Sequence, residues 1–245
     1  MKSCFITGAS SGIGRELACH YASQGWRVFA VARSEVVLQE LALQYSSLVP
    51  LVCDLTDPKA LSQMMSLLSA ELTSLDLAIL NAGTCIYVDA EQLQLSDFEQ
   101  TFAINFFAIV ALVPQLLPLL QASERGQLAM VSSLAHVFPF TKAEAYGASK
   151  AAVSYFTESL RADWAGNGVD LCLIEPGFVD TPLTQKNDFD MPFLISSDDA
   201  VQRISQGIAK RQPRIRFPKR LVWSLNVLRL VPYPLRLAIA RGMKG

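Results

Sequence analysis

The chain has 245 residues, 51% of them hydrophobic and 18% charged, which is ample material for a buried core and unlike a disordered or disulfide-stapled protein. Its five cysteines (Cys4, Cys19, Cys53, Cys85, Cys172) are scattered and form no C-x-x-C pair. No metal site or disulfide framework is therefore expected, and a reducing, cytoplasmic setting is the simplest account. The net charge of −1 hides an asymmetry: from Ala200 onward there are eleven Lys or Arg and no Asp or Glu, while all twenty-two acids lie earlier.

Taken in chain order, strand-like runs alternate with helical periodicity. Ser3–Thr7 opens next to the initiator methionine, so no signal peptide is expected. Helical Gly12–Gln24 follows, then strand Trp26–Ala32, helix Glu35–Tyr45, strand Leu48–Cys53, helix Asp57–Thr73 and strand Leu75–Leu80. Asp57-Pro58 places a proline at a first helical position, and Ser96 with Glu99 has the spacing of a capping box. Helix Asp97–Gln121 contains Phe102–Leu120, apolar enough for a membrane span but interrupted by Asn105, Pro114, Gln115 and Pro118. Its place between βα units predicts a buried helix. Strand Gln127–Val131, helix Ala145–Asn167 and strand Val169–Glu175 continue the pattern. The alternation predicts an α/β fold, a doubly wound parallel sheet with helices on both faces. No linker or repeat interrupts it, so one domain over residues 1–245 is expected.

The chemistry sits at the ends of these strands. Thr7-Gly8-Ala9-Ser10-Ser11-Gly12-Ile13-Gly14 joins the first strand to the first helix. Glycines here permit a tight turn and bring backbone N–H groups and a helix N-terminus to a pyrophosphate. The second strand ends in Ala32-Arg33, where an acid would bind a free ribose hydroxyl. A guanidinium instead suits a 2′-phosphate, which favours NADP(H) and leaves NAD(H) as the alternative. Asp54, followed by Leu55, can accept from an adenine amino group, and Asn81-Ala82-Gly83 ends the fourth strand. Ser133 precedes Tyr146-Gly-Ala-Ser-Lys150, whose tyrosine and lysine share one helix face. A free tyrosine has a pKa of about 10; a neighbouring ammonium is expected to lower it, making Tyr146 an acid–base group, with Ser133 on the substrate oxygen.

With these motifs in this order, the chain resembles the short-chain dehydrogenase/reductase family from Ser3 to about Ile208. The family's T-G-x-x-x-G-x-G, N-A-G and Y-x-x-x-K stand at Thr7–Gly14, Asn81–Gly83 and Tyr146–Lys150. The resemblance implies a Rossmann-type sheet of about seven strands and Lys150 on the cofactor ribose. It also implies a catalytic Asn105 that holds a relay water. Pro176-Gly177-Phe178-Val179-Asp180-Thr181 matches its P-G-x-x-x-T, so Pro176, Gly177, Val179 and Thr181 are implied contacts of the nicotinamide and phosphates. Homodimers or homotetramers through the helices around Asn105 and Tyr146 are implied too. The chain departs at Ser11, where NADP-preferring members often carry a base, and at Ala108, where a glycine often stands. The expected function is reduction of a small-molecule carbonyl, or oxidation of an alcohol, by hydride transfer. The rival is a non-catalytic cofactor-binding or redox-sensing protein on the same fold.

Residues between Thr181 and Ser196 are expected to cover the substrate, with Leu183, Phe189, Met191, Pro192, Phe193 and Leu194 beside Asp188 and Asp190. Phe138 and Phe140 add to an apolar pocket. His136 is read as a loop histidine making local hydrogen bonds, and His20 as structural. Residues from about 209 to 245 read as a last strand, Arg214–Pro218, and two basic amphipathic helices, Leu221–Val231 and Pro234–Ala240. Such a tail packs on its own domain or touches a membrane surface; nucleic acid is not expected.

Overall fold

The computed structural model describes residues 1–187 and 189–242. The order is β1 (Ser3–Thr7), α1 (Gly12–Ser23), β2 (Arg27–Ala32), α2 (Glu35–Gln44), β3 (Leu48–Val52), α3 (Pro58–Glu71) and β4 (Leu77–Leu80). There follow α4 (Leu95–Phe102), a π-helical turn (Ala103–Phe107), α5 (Ala108–Gln121), β5 (Gln127–Val131), α6 (Glu144–Asp163) and β6 (Asp170–Pro176). The remainder comprises α7 (Ser197–Ala209), β7 (Arg214–Phe217), α8 (Lys219–Leu230) and α9 (Tyr233–Gly242).

Among the described residues, seven parallel strands pair in the order β3-β2-β1-β4-β5-β6-β7, a Rossmann-type doubly wound sheet. Alternate strand residues feed two cores, because a strand's side chains switch face at every step. Ile6, Val28, Ala30, Ile79 and Ile174 pack with α1, α2 and α7. Phe5, Phe29, Ala78, Leu128 and Met130 pack with α3, α5 and α6. Strand order reverses between β1 and β4, so the loops that follow these two strands diverge and leave a crevice at the strands' carboxyl ends.

The long apolar segment runs as α4, the π turn and α5, and its Ile109, Leu112, Leu116 and Leu120 are buried in the second core. By length and composition the stretch Leu95–Gln121 could cross a membrane, but here it is a helix laid on a sheet. Pro58 opens α3 as expected, and Asp57, one residue outside the helix, caps it by accepting from the Lys59 N–H at 2.8 Å. The capping box at Ser96 does not form: α4 begins at Leu95, with Gln94 as N-cap and no side-chain cap, which places Ser96 inside the helix. The sequence reading also had no helix at Ser197–Ala209, where Ser196 caps α7 through the Asp199 N–H.

Candidate active site

The crevice between β1 and β4 is tied shut at its base. Thr7 Oγ1 accepts from the Asn81 and Ala82 N–H groups at 2.9 and 3.0 Å, and Asn81 Nδ2 donates to the Thr7 carbonyl at 3.0 Å. Gly8 takes φ +72°, and a Cβ on it would lie 2.9 Å from Ala82 Cα. A Cβ on Gly14 would lie 2.3 Å from the Gly8 carbonyl oxygen, so only glycine lets α1 approach the turn this closely. The first turn of α1 holds no acid, which leaves its N-terminal dipole open to an anion.

Above this base lies a cavity of about 620 Å³. Its walls include every cofactor-contact residue named from sequence except Gly14: Gly8, Ser10, Ser11, Gly12, Ile13, Arg33, Asp54 and Leu55 at one end. At the other end stand Asn81, Ala82, Gly83, Tyr146, Lys150, Pro176, Gly177, Val179 and Thr181. Gly14 stands behind the wall as a packing residue. Arg33 is exposed, and its charge joins two Thr56 hydrogen bonds, the stronger influence, in holding the Asp54 carboxyl below its usual range. The glycine cradle and the helix N-terminus fit the phosphates of a dinucleotide.

At the inner end of the cavity, Ser133 follows β5 and both Tyr146 and Lys150 project from the first turns of α6. Ser133 Oγ accepts from the Ala135 N–H at 3.1 Å and donates to the Pro176 carbonyl at 3.4 Å, and its hydroxyl favours the ionised form of Tyr146 beside it. Burial nevertheless pushes the Tyr146 phenol up to about 12, the opposite of the direction expected from its spacing to Lys150. The reason is geometric. Lys150 Nζ donates to the Val131 carbonyl at 2.9 Å and lies 5.8 Å from the Tyr146 ring centroid, not on the phenol oxygen. Burial also draws the Lys150 ammonium down to about 8, so its proton is labile near neutrality. Ser132 Oγ, bonded to the Lys150 carbonyl at 2.7 Å, ties this turn of α6 to β5.

Asn105 is fully buried in the π turn and is not part of the cavity wall. Its Oδ1 accepts from the Thr84 N–H at 2.8 Å, while Nδ2 donates to the Thr84 carbonyl and to Ser149 Oγ, each at 2.9 Å. Its amide thus locks the loop after β4 to α6. At this turn the Ala108 N–H bonds back to Ala103, five residues away, a register break often found at functional sites.

A second cavity, of about 700 Å³, adjoins the first at Ser133, Tyr146 and Gly177. Phe140, Phe178, Phe189 and Phe193 line it, as the apolar cover predicts, but so do Cys85, Tyr87 and the α8 residues Leu221, Leu225 and Leu228, which sequence reasoning did not place there. Asp190 is on its wall; Asp188 lies outside the described residues. Phe138 sits beneath it in a small core with Leu134, Leu221, Leu225 and Ala240.

His136 bonds to a partner far from local. Its Nε2 meets Glu175 Oε1, and fully buried Glu175 also takes Arg214 through two hydrogen bonds and Arg216 at 3.3 Å. Burial pushes the Glu175 carboxyl up, but its hydrogen bonds to Arg214 and His136 and the two arginine charges outweigh this and hold it at about 2. The cluster ties the loop after β5 to β7. A run of β-type residues at 169–175 gives no sign that its last member is a buried ion; only the Arg-Ile-Arg pattern of β7, alternating onto one face, could have suggested a partner.

The family model for short chain dehydrogenases matches residues 2–191. An "uncharacterized oxidoreductase" of Myxococcus xanthus is 36% identical over 99% of this chain and 98% of its own length. The fatty acyl-CoA reductase of Acinetobacter baylyi is 33% identical over 95% of this chain and 79% of its own. Among solved structures, a short-chain dehydrogenase from Sphingobium yanoikuyae in complex with NADPH superposes with a TM-score of 0.81 at 23% identity, over 95% of this chain and 97% of that one.

Proposed function

The chain belongs to the short-chain dehydrogenase family, and on that premise we propose that it is an NADP(H)-dependent reductase of hydrophobic carbonyl compounds. It is an oxidoreductase acting on the CH–OH/C=O pair with a nicotinamide cofactor. The finer reading rests on one observation: Ser133 and Tyr146 both line a cavity shaped for a dinucleotide and a second, aromatic-lined cavity.

Bound cofactor supplies the hydride. This chain's residues do the rest. Ser133 and Tyr146 hold the substrate oxygen where the two cavities meet. With its phenol raised to about 12, Tyr146 is protonated at neutral pH and can donate to that oxygen as negative charge builds, which suits reduction. Lys150, drawn down to about 8, stands on the same helix face as the group that can resupply the proton, and Asn105 fixes the loop opposite. Arg33 would meet the 2′-phosphate and Asp54 the adenine. The oxidoreductase of Myxococcus xanthus and the NADP complex of RhlG from Pseudomonas aeruginosa, 27% identical over 75% of each chain with a TM-score of 0.70, support this reading.

The test is Tyr146→Phe, which keeps the ring and removes the proton. NADPH oxidation against a panel of aldehydes and ketones should fall by about 10²–10⁴-fold, while NADPH affinity is retained. Unchanged turnover would refute the catalytic assignment, and a cofactor-binding or sensing protein would take its place.

We also place the protein in the cytoplasm as a single-domain dimer or tetramer assembled on the helix face where Phe107, Val110 and Tyr155 are exposed. Static light scattering that returned a monomer mass would reject the assembly. Peripheral contact with an anionic membrane fits the outer face of α8, where Trp223, Val227 and Leu230 form an exposed stripe among arginines. Failure to co-sediment with anionic vesicles at low salt would reject that contact.

A further inference from the structure

The second cavity does not end at the cover before α7. Its walls take in Ser133, Tyr146, Phe178 and Phe189, then Leu221, Leu225 and Leu228 of α8, and Gly242 at the end of α9. The helices after β7 are thus a wall of the cavity that opens on the acid–base pair. Their placement is fixed from below, because Leu221 and Leu225 are buried against Leu134 and Phe138 of the active-site loop.

The walls of this space differ in chemistry. At Ser133 and Tyr146 two hydroxyls can hydrogen-bond a substrate oxygen. The α8 wall is leucine and leads away from them: Leu221 packs on Gly177, and Leu225 and Leu228 follow one and about two turns along the helix, with Lys142, Asn187 and Asp190 on other walls. The hydroxyl that α8 adds there, on Ser224, donates to the Arg220 carbonyl at 3.0 Å inside its own helix. A polar group carried to that end would leave its water partners with no replacement on the leucine face, whereas methylene groups lose nothing. The volume, about 700 Å³, is in the range of cavities that enclose a drug-sized molecule and far exceeds the needs of a small aldehyde or ketone.

We infer that α8 and the end of α9 form the distal half of the substrate site, holding the unsubstituted aliphatic chain of a long substrate whose carbonyl lies at Tyr146. This rests on the reductase reading for the carbonyl end, but the chain-binding half stands on the cavity alone. Specificity then resides in chain length. The bond changes are those of ordinary carbonyl reduction: the C=O π bond breaks as a C–H bond forms with the hydride of the reduced nicotinamide, which is oxidised, while the Tyr146 O–H bond breaks to form the alcohol O–H, and solvent returns a proton to the phenolate.

Two measurements test it, one of turnover and one of binding. In steady-state assays with NADPH and unbranched aldehydes and 2-ketones from butanal to tetradecanal and their ketone counterparts, kcat/KM should climb by about two- to fourfold per added methylene until the cavity is filled. Leu228→Trp, at a partly buried position, should block the far end and cut the ratio of long-chain to short-chain kcat/KM at least tenfold. Leu225→Trp is the second variant, and far-ultraviolet circular dichroism with NADPH binding checks that each folds. Independently of catalysis, the fluorescent unbranched fatty acid cis-parinaric acid should bind the wild-type protein saturably, and tetradecanol should displace it.

Turnover that is flat along the series, or best with fused-ring ketones, overturns the inference and leaves the reductase reading intact. Parinarate binding that Leu228→Trp abolishes, with no turnover of any carbonyl, sustains the chain site and sinks the reductase reading. Absence of both chain-length dependence and parinarate binding overturns the inference whatever the turnover.

Discussion

The two halves of the candidate cleft are built by opposite means. The half between β1 and β4 is made of backbone: glycine turns, strand ends and N–H groups, tied by one threonine hydroxyl. The half between Tyr146 and α8 is made of side chains from segments far apart in sequence, at 85–87, 133–146, 177–193 and 221–242. A backbone site tolerates almost no change of residue but asks little of its surroundings. A side-chain site accepts many changes of shape but depends on whatever holds its segments together.

That contrast can be broken by experiment. Gly14→Ala strikes the backbone half where it is tightest, with a Cβ 2.3 Å from the Gly8 carbonyl oxygen. Overpacking of this kind costs roughly 1–3 kcal/mol or more, so NADPH affinity by fluorescence titration should drop by about a hundredfold. An Ala variant with wild-type affinity would show that the cradle yields like the other half. Glu175→Gln strikes what holds the side-chain half to the sheet. Breaking buried ion pairs costs about 3–5 kcal/mol, and the part-exposure of Arg214 reduces this to about 2–3 kcal/mol in urea unfolding at neutral pH.

Because the folded Glu175 carboxyl is held at about 2, below its ordinary 4.5, its stabilisation is present above about 4.5 and is lost as pH falls toward about 2. The Gln variant should lack that part of the acid slope; an identical slope would place the stabilisation elsewhere. Arg33→Ala should have the smallest effect, since its side chain is exposed: about a tenfold loss of NADPH affinity with NADH affinity unchanged. Equal losses for both cofactors would remove Arg33 from the 2′-phosphate.

The same contrast explains what the sequence disclosed. The sheet, its two helical layers and the gathering of the named strand-end residues around one cavity were legible, because each rests on local pattern: alternation along strands, glycine spacing, residues at strand ends. That Tyr146, Lys150 and Ser133 share one cavity wall was legible too, whereas Asn105, implied by the family resemblance, lies behind that wall. The direction of the Tyr146 shift was not, because spacing fixes which face a lysine occupies and not which carbonyl its ammonium chooses. His136 looked local because Glu175, thirty-nine residues away, gives no sequence sign of facing it. The capping box at Ser96 failed for a related reason: the motif is short, and burial of the helix that follows sets where α4 begins. Least legible was the far wall of the second cavity, since amphipathic periodicity in α8 says that one face is covered and not what lies beneath.

Thr7 carries a consequence of its own. By accepting both N–H groups of the Asn81-Ala82 step, its hydroxyl fixes the spacing of the two lips of the crevice when the sheet forms. The dinucleotide therefore meets a slot whose width is already set, and the loss of backbone freedom in the cradle belongs to folding and not to association. Capture of the cofactor then becomes an encounter between shapes that need not wait for one another, with a rate governed by diffusion and charge more than by rearrangement.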